Sequence, residues 1–279
     1  MKKYILLIGL SILLIYPRKT FALEYINNNG VTISEENYNN LRKIYSEKYI
    51  SVLDQDQYDR IMAMNLDFSD VQKTRKYIKT EYNQVTGEVT ETLLTEAEYN
   101  NVQETPKTRA TVIETAYKYT ELALVRVGSE NAYFTYTALW KIMPAVRSFD
   151  VIGVRFSAMK KINGTQQGKQ VYVLNGVTDF VQYNFNGTNI KNFSNGFGIS
   201  MNLLNSNVSY LECTIDSSMD ITSLPAGLFT SYQHAVQDVS LATSQDYTLG
   251  VGLGDVFVFN NNIGSKYDGM QGTYDYFSH

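Results

Sequence analysis

The chain has 279 residues, is 44% hydrophobic and carries a formal net charge of −4, which is enough apolar material for one large or two modest domains. Without its first 22 residues, 20 basic residues stand against 28 acidic ones, a net charge of −8. That balance disfavours a nucleic-acid partner, which needs a basic face for its phosphates, and disfavours simple adsorption to anionic lipid.

The N-terminus reads MKKYILLIGLSILLIYPRKTFALEY. Lys2 and Lys3 precede an apolar run from Tyr4 to Tyr16, and Thr20-Phe21-Ala22 offers small residues where a signal peptidase cuts. This predicts a secretory signal peptide over residues 1–22, cleaved after Ala22. A bilayer-spanning helix needs about 20 apolar residues, and Pro17, Arg18 and Lys19 end this run early. The mature chain is therefore expected to be extracellular, with no stable membrane insertion once the signal is gone. With Cys213 as the one cysteine, no intrachain disulfide can form, so the core must hold the fold.

Three segments repeat one pattern: ISEENYNNL (33–41), LDQDQYDRI (53–61) and LTEAEYNNV (94–102). Ser34, Asp54 and Thr95 are good helix N-caps. Three residues later stand Asn37, Gln57 and Glu98, and Thr95/Glu98 makes a full capping box. Ile33, Leu53 and Leu94 precede the caps, and Tyr38, Tyr58 and Tyr99 follow five residues on, at hydrophobic-staple spacing. The unequal separations of the caps, 20 and 41 residues, argue for three helix starts rather than a ligand-binding solenoid. Helices are predicted over 34–48, 54–64 and 95–103. Between them, 73–82 and 88–94 flank Val85-Thr86-Gly87 and predict a hairpin. Residues 23–106 thus form an N-terminal region, and Glu104–Thr108 its linker to residues 107–279.

Beyond Arg109 the pattern has period two. In Ala132–Ile142, Phe134, Tyr136, Ala138, Trp140 and Ile142 share one face, opposite Thr135, Thr137 and Lys141. Further strands are predicted near 111–127, 149–159, 169–183, 196–203, 207–216, 229–242 and 246–259, separated by turns such as Asn163-Gly164 and Asn186-Gly187. The predicted fold is α+β: a small helical and hairpin region followed by an antiparallel β-sandwich, jelly-roll-like.

Chemistry is sparse in this pattern. Gly250-Val-Gly-Leu-Gly254 lacks both the spacing and the βαβ setting of a nucleotide loop, and alternating glycines more often admit a neighbouring backbone or ring. Cys213 alternates with polar residues beside Leu211 and Ile215, as a small buried hydrophobe would. A Cys–His pair would depend on His234 or His279. No zinc or EF-type spacing occurs. Asp216, Asp220, Asp255 and Asp268 read as solvated loop acids rather than calcium ligands, and no metal or cofactor is implied. Glu114, Glu121, Asp150, Asp179 and Glu212 are the acids of the β region, and no spacing pairs them for catalysis. Glu212 is expected to face water or a groove.

Tyrosine is abundant, at 22 residues. Its ring gives stacking area and its hydroxyl a polar handle, which suits sugar or protein recognition. Tyr183, Tyr210, Tyr232, Tyr267, Tyr274 and Tyr276 are the candidate contact residues near loops and strand ends. Residues 229–254, loosely alternating and poor in charge, also fit a membrane-inserting hairpin, although a plain core hairpin has the same pattern.

The stretches EYINNNGVTISEENYNNL (24–41), ALWKIMPAVRSFDVIGVRFS (138–157) and IGSKYD (263–268) resemble a group of exported proteins of Gram-positive bacteria to which no activity attaches. The resemblance implies export and a shared architecture. The favoured expectation is a secreted, non-catalytic recognition module for a glycan or protein ligand. The alternatives are a glycan-active hydrolase, with two carboxylates across a cleft, and a membrane-active toxin.

Overall fold

The computed structural model describes residues 24–103, 113–251, 256–269 and 272–278. The expected signal peptide, the Glu104–Thr108 linker, Asp255 and His279 lie outside these. In chain order the elements are β1 (Glu24–Ile26), β2 (Thr32–Ser34), α1 (Glu35–Leu41), α2 (Glu47–Ser51), α3 (Gln55–Ala63), β3 (Val71–Asn83), β4 (Val89–Leu94) and α4 (Glu96–Asn101). Strands then dominate: β5 (Ile113–Val127), β6 (Asn131–Ile142), β7 (Phe149–Ser157), β8 (Met159–Lys161), β9 (Gln167–Leu174), β10 (Val177–Asn184), β11 (Ile190–Phe193) and β12 (Gly196–Asn202). The chain continues with β13 (Tyr210–Ile221), β14 (Ala226–Gln233), α5 (Leu241–Ser244), β15 (Tyr247–Leu249), β16 (Phe257–Phe259), a 3-10 turn at Asn261–Lys266 and β17 (Thr273–Phe277).

The three repeats are helix starts. Ser34 accepts from the Asn37 N–H and Asp54 from the Gln57 N–H, while Thr95 and Glu98 close a complete capping box. Such caps matter because a short helix cannot hold itself in water. The first predicted helix is in fact two. It ends at Leu41, and Ser46 caps a second one by accepting from the Tyr49 N–H.

The strands form an antiparallel sandwich. One sheet has the order β10-β9-β13-β6-β5-β3-β4, with β8 added against β13, and the other has the order β11-β12-β7-β14-β17. The β3–β4 hairpin does not stand apart from the β region. It is hydrogen-bonded into the larger sheet, with Val71 opposite Val125 and Asn83 opposite Ile113. Two hydrogen bonds also tie β3 to the other sheet: Thr74 Oγ1 donates to Asp275 Oδ2 at 3.0 Å, and Lys76 Nζ to the Gly272 carbonyl at 2.6 Å.

Alternation along the strands makes two cores. Leu122, Leu124, Phe134, Tyr136, Trp140, Leu211, Cys213 and Ile215 point between the sheets. Ala123, Val125, Tyr133 and Val171 point the other way, under Ile33, Leu41, Tyr49, Ile50 and Ile61 of the N-terminal helices and their flanks. The face carrying Thr135 and Thr137, read from the sequence as the polar side, is therefore buried too. The helices cover it, and Thr135 Oγ1 donates to the Ile44 carbonyl at 2.8 Å.

Two strand predictions change. The 169–183 segment is a hairpin, β9 and β10, turning at Asn175-Gly176, where both residues have positive φ, as the tightest hairpin turn requires. The 229–254 segment is not a long hairpin: β14 ends at Gln233, α5 intervenes, and β15 spans three residues. The short β15–β16 hairpin packs on the outer face of the five-stranded sheet, where Tyr247, Leu249 and Phe257 join Val151 and Ala235 in a third core.

Candidate functional site

The most chemically loaded region lies between the sheets, near the 234–236 and 267–269 loops. Lys118 sits on β5 where a β-bulge shifts register against β6, between Tyr117↔Ile142 and Lys118↔Trp140. A bulge re-aims side chains. Lys118 has no solvent exposure and stands 5.0 Å from the Trp140 ring centre and 5.6 Å from that of Tyr232. Its Nζ donates directly to Asp268 Oδ2, and Glu91 Oε1 on β4 is 3.6 Å away.

Asp268 is held from its other side by the backbone. The His234 N–H donates to Asp268 Oδ1 at 2.9 Å, and the Asp268 N–H donates to the His234 carbonyl at 2.9 Å. Burial first, and then the neighbouring Asp268 charge, push the Glu91 carboxyl up to about 8, against the pull of Lys118. For Lys118, burial acts to lower the pKa, but Asp268 and Glu91 together outweigh it and leave it above the ordinary lysine value.

A second group adjoins the first. Asp150 on β7 accepts from the Tyr232 hydroxyl, from the Ala235 N–H at 2.9 Å and from His234 Nδ1 at 3.0 Å. Trp140 Nε1 donates to the Tyr232 oxygen at 3.1 Å. An isolated buried charge is costly, and this interior tolerates several because each has a partner. A cleft of about 580 Å³, lined by Ile78, Val89, Glu91, Leu93 and Asp268, opens onto the acidic end of the cluster.

The helix-covered face carries its own polar layer. Glu212 accepts from Ser46 Oγ at 2.6 Å, from Thr214 Oγ1 at 2.9 Å and from the Tyr210 hydroxyl, and burial raises its pKa. Asp216 pairs with Arg60 at 3.3 Å. Lys169 Nζ donates to Gln57 Oε1 at 2.6 Å and to the Val52 carbonyl at 3.2 Å.

These placements correct several expectations. Glu212 faces neither water nor a groove, because the N-terminal helices lie over it. Asp216 and Asp268 are buried ion-pair partners rather than solvated loop acids. Glu91 and Asp268 flank one ammonium side by side and do not face each other across a sugar-sized gap of about 5–10 Å, the spacing of a glycosidase pair. Among the described residues no group of three or more His, Cys, Asp or Glu is arranged to hold a metal ion. Cys213 is buried, as its strand position predicts.

The six candidate tyrosines are not gathered in one place. Tyr183, Tyr232 and Tyr267 are buried, and Tyr210 is spent on Glu212, so none of these four presents its ring to a ligand. Period-two burial claims them, because strand ends in this sandwich are covered by loops and helices. Tyr274 and Tyr276 on β17 are exposed, at 60% and 54%. Tyr274 stacks on Phe229 with ring centres 6.0 Å apart, and the Arg155 guanidinium lies 4.2 Å from the Phe229 ring centre.

Sequence reasoning missed Lys118 and Glu91, and it placed Asp150, Asp268 and His234 without linking them. One signal was present: Lys118 occupies an inward position in the alternating run Ala116, Lys118, Thr120, Leu122, Leu124, where a charge needs a buried partner.

No family model and no curated protein matches this chain. Among solved structures it is similar to the KRT10-binding region domain of the pneumococcal serine-rich repeat protein PsrP, at 11% identity and a TM-score of 0.31, over 75% of this chain and 100% of that one. A TM-score of 0.31 is too low to carry either fold or function across.

Proposed function

We propose that the protein is a secreted, non-catalytic recognition module of a Gram-positive bacterium, which binds a glycan or a protein through the outer face of β17. The observation that supports this reading is the Tyr274–Tyr276 pair. Residues two apart on a strand share a face, so both rings stand on one exposed surface with Phe229 behind Tyr274. Exposed aromatic rings backed by packing are costly to leave in water and suit stacking on a sugar ring or anchoring a protein contact. No helix among the described residues is long and apolar enough to cross a membrane.

The test is glycan-array and pull-down binding by residues 23–279, alongside the Tyr274→Ala/Tyr276→Ala double variant. Binding that the double variant loses while its thermal melt stays unchanged supports the reading. Turnover of a polysaccharide without retained binding overturns it.

A further inference from the structure

We propose that Lys118 and Asp268 are joined by an intramolecular isopeptide bond, formed autocatalytically in the folded chain with Glu91 as the proton carrier. The amine and the carboxyl meet in direct contact, and neither side chain has any solvent exposure. Trp140 and Tyr232 wall the amine, so the pair reacts in a dry pocket. Glu91 lies within reach of the same nitrogen and lines the cleft through which water can leave. His234 fixes Asp268 Oδ1 with a backbone N–H.

The step balances without any co-reactant. A proton passes from the Lys118 ammonium to the Asp268 carboxylate it touches, leaving a neutral amine and a carboxylic acid, the pair that can react. The Nζ lone pair attacks Cγ of Asp268. Charge gathers on Oδ1, against the His234 N–H, which serves as the oxyanion donor. Glu91, as the acid, gives its proton to the departing hydroxyl and takes up in exchange the proton released by nitrogen. The Cγ–O bond breaks, one water leaves, and an Nζ–Cγ amide remains. The fold supplies the driving orientation by holding the reactants as a preformed contact. Glu91, kept protonated at neutral pH by its burial and by Asp268, is suited to shuttle that proton.

The alternative is a simple buried salt bridge, and mass distinguishes the two. Intact-mass spectrometry of the purified folded protein is expected to find one water less than the sequence requires. Its protease digest should contain a branched peptide joining the Lys118 and Asp268 segments. Asp268→Ala and Glu91→Gln should both restore the full mass, and Asp268→Asn should instead lose one ammonia. A wild-type protein of full sequence mass with an unmodified Lys118 peptide overturns the bond, whatever the variants do. A Glu91→Gln protein that is still fully cross-linked overturns the role of Glu91.

Discussion

Gly198 on β12 leaves open the space that Tyr247 on β15 fills: a Cβ at position 198 would stand 3.0 Å from Tyr247 Cζ and 2.9 Å from Phe257 Cε1. The β15–β16 hairpin therefore docks on a sheet face that glycine has flattened. The rings that would have to yield are themselves core residues. Gly198→Ala is expected to cost about 1–3 kcal/mol by overpacking, and to raise protease cleavage within 247–259 before the sandwich unfolds. Urea melts and limited proteolysis check this. Unchanged cleavage would mean that the hairpin does not depend on the contact.

Tyr247 offers the converse case. Its buried hydroxyl has no hydrogen-bond partner among the described residues. An unpaired buried polar group costs roughly 1–3 kcal/mol. Tyr247→Phe is therefore expected to hold or raise the urea midpoint, and a clear loss would show that the hydroxyl has a partner in solution.

The proposed Lys118–Asp268 link joins residues 150 positions apart. By the chain-entropy arithmetic used for disulfides, closing so long a loop contributes roughly 5 kcal/mol through the unfolded state. Calorimetry of Glu91→Gln should show a melting temperature well below wild type, insensitive to reducing agent in both proteins. It is a staple that a chain with one cysteine cannot obtain from an intrachain disulfide. Equal melting temperatures would remove the stabilising role.

Ser46 has two duties, as the cap of α2 and as a donor to buried Glu212. Thr95 has a cap's duty at the surface. Thr95→Ala should cost about 1 kcal/mol, and Ser46→Ala about 2–3 kcal/mol, because Glu212 also loses a donor. Comparing the two in urea denaturation tests the buried layer, and equal losses would argue that Glu212 finds another partner.

Lys169 should make stability depend on pH. Burial lowers its pKa from 10.5 to about 8. Between those values the unfolded chain holds a proton that the folded chain has released, so stability from this group rises with pH, by at most about 1.4 kcal/mol per pH unit. Lys169→Met should flatten that rise in urea midpoints measured across the window. An unchanged slope would assign the dependence to other groups.

The features legible in the sequence are those that neighbours along the chain decide. Ser34, Asp54 and Thr95 cap their helices because a cap needs only residues three positions away. The Phe134–Trp140 face and Cys213 are buried because alternation on a strand is local. The Asn175-Gly176 turn was equally local but was hidden by the apolar residues on both sides, which read as one strand. Most of the candidate site was not legible. Tyr232 and Tyr267 looked available because the sequence does not show what lies over a strand end.

By itself the sequence determined the helix starts, the strand period, the single buried thiol and the acidic balance, all of which follow from spacing and composition. Only the tertiary structure decided that both faces of the larger sheet are covered. Only it brought Lys118, Glu91 and Asp268 together, from β4, β5 and the loop before β17. The physical reason is that an inward lysine is costly until its partners are in place, and strand order, which sets those partners, depends on pairings between distant parts of the chain.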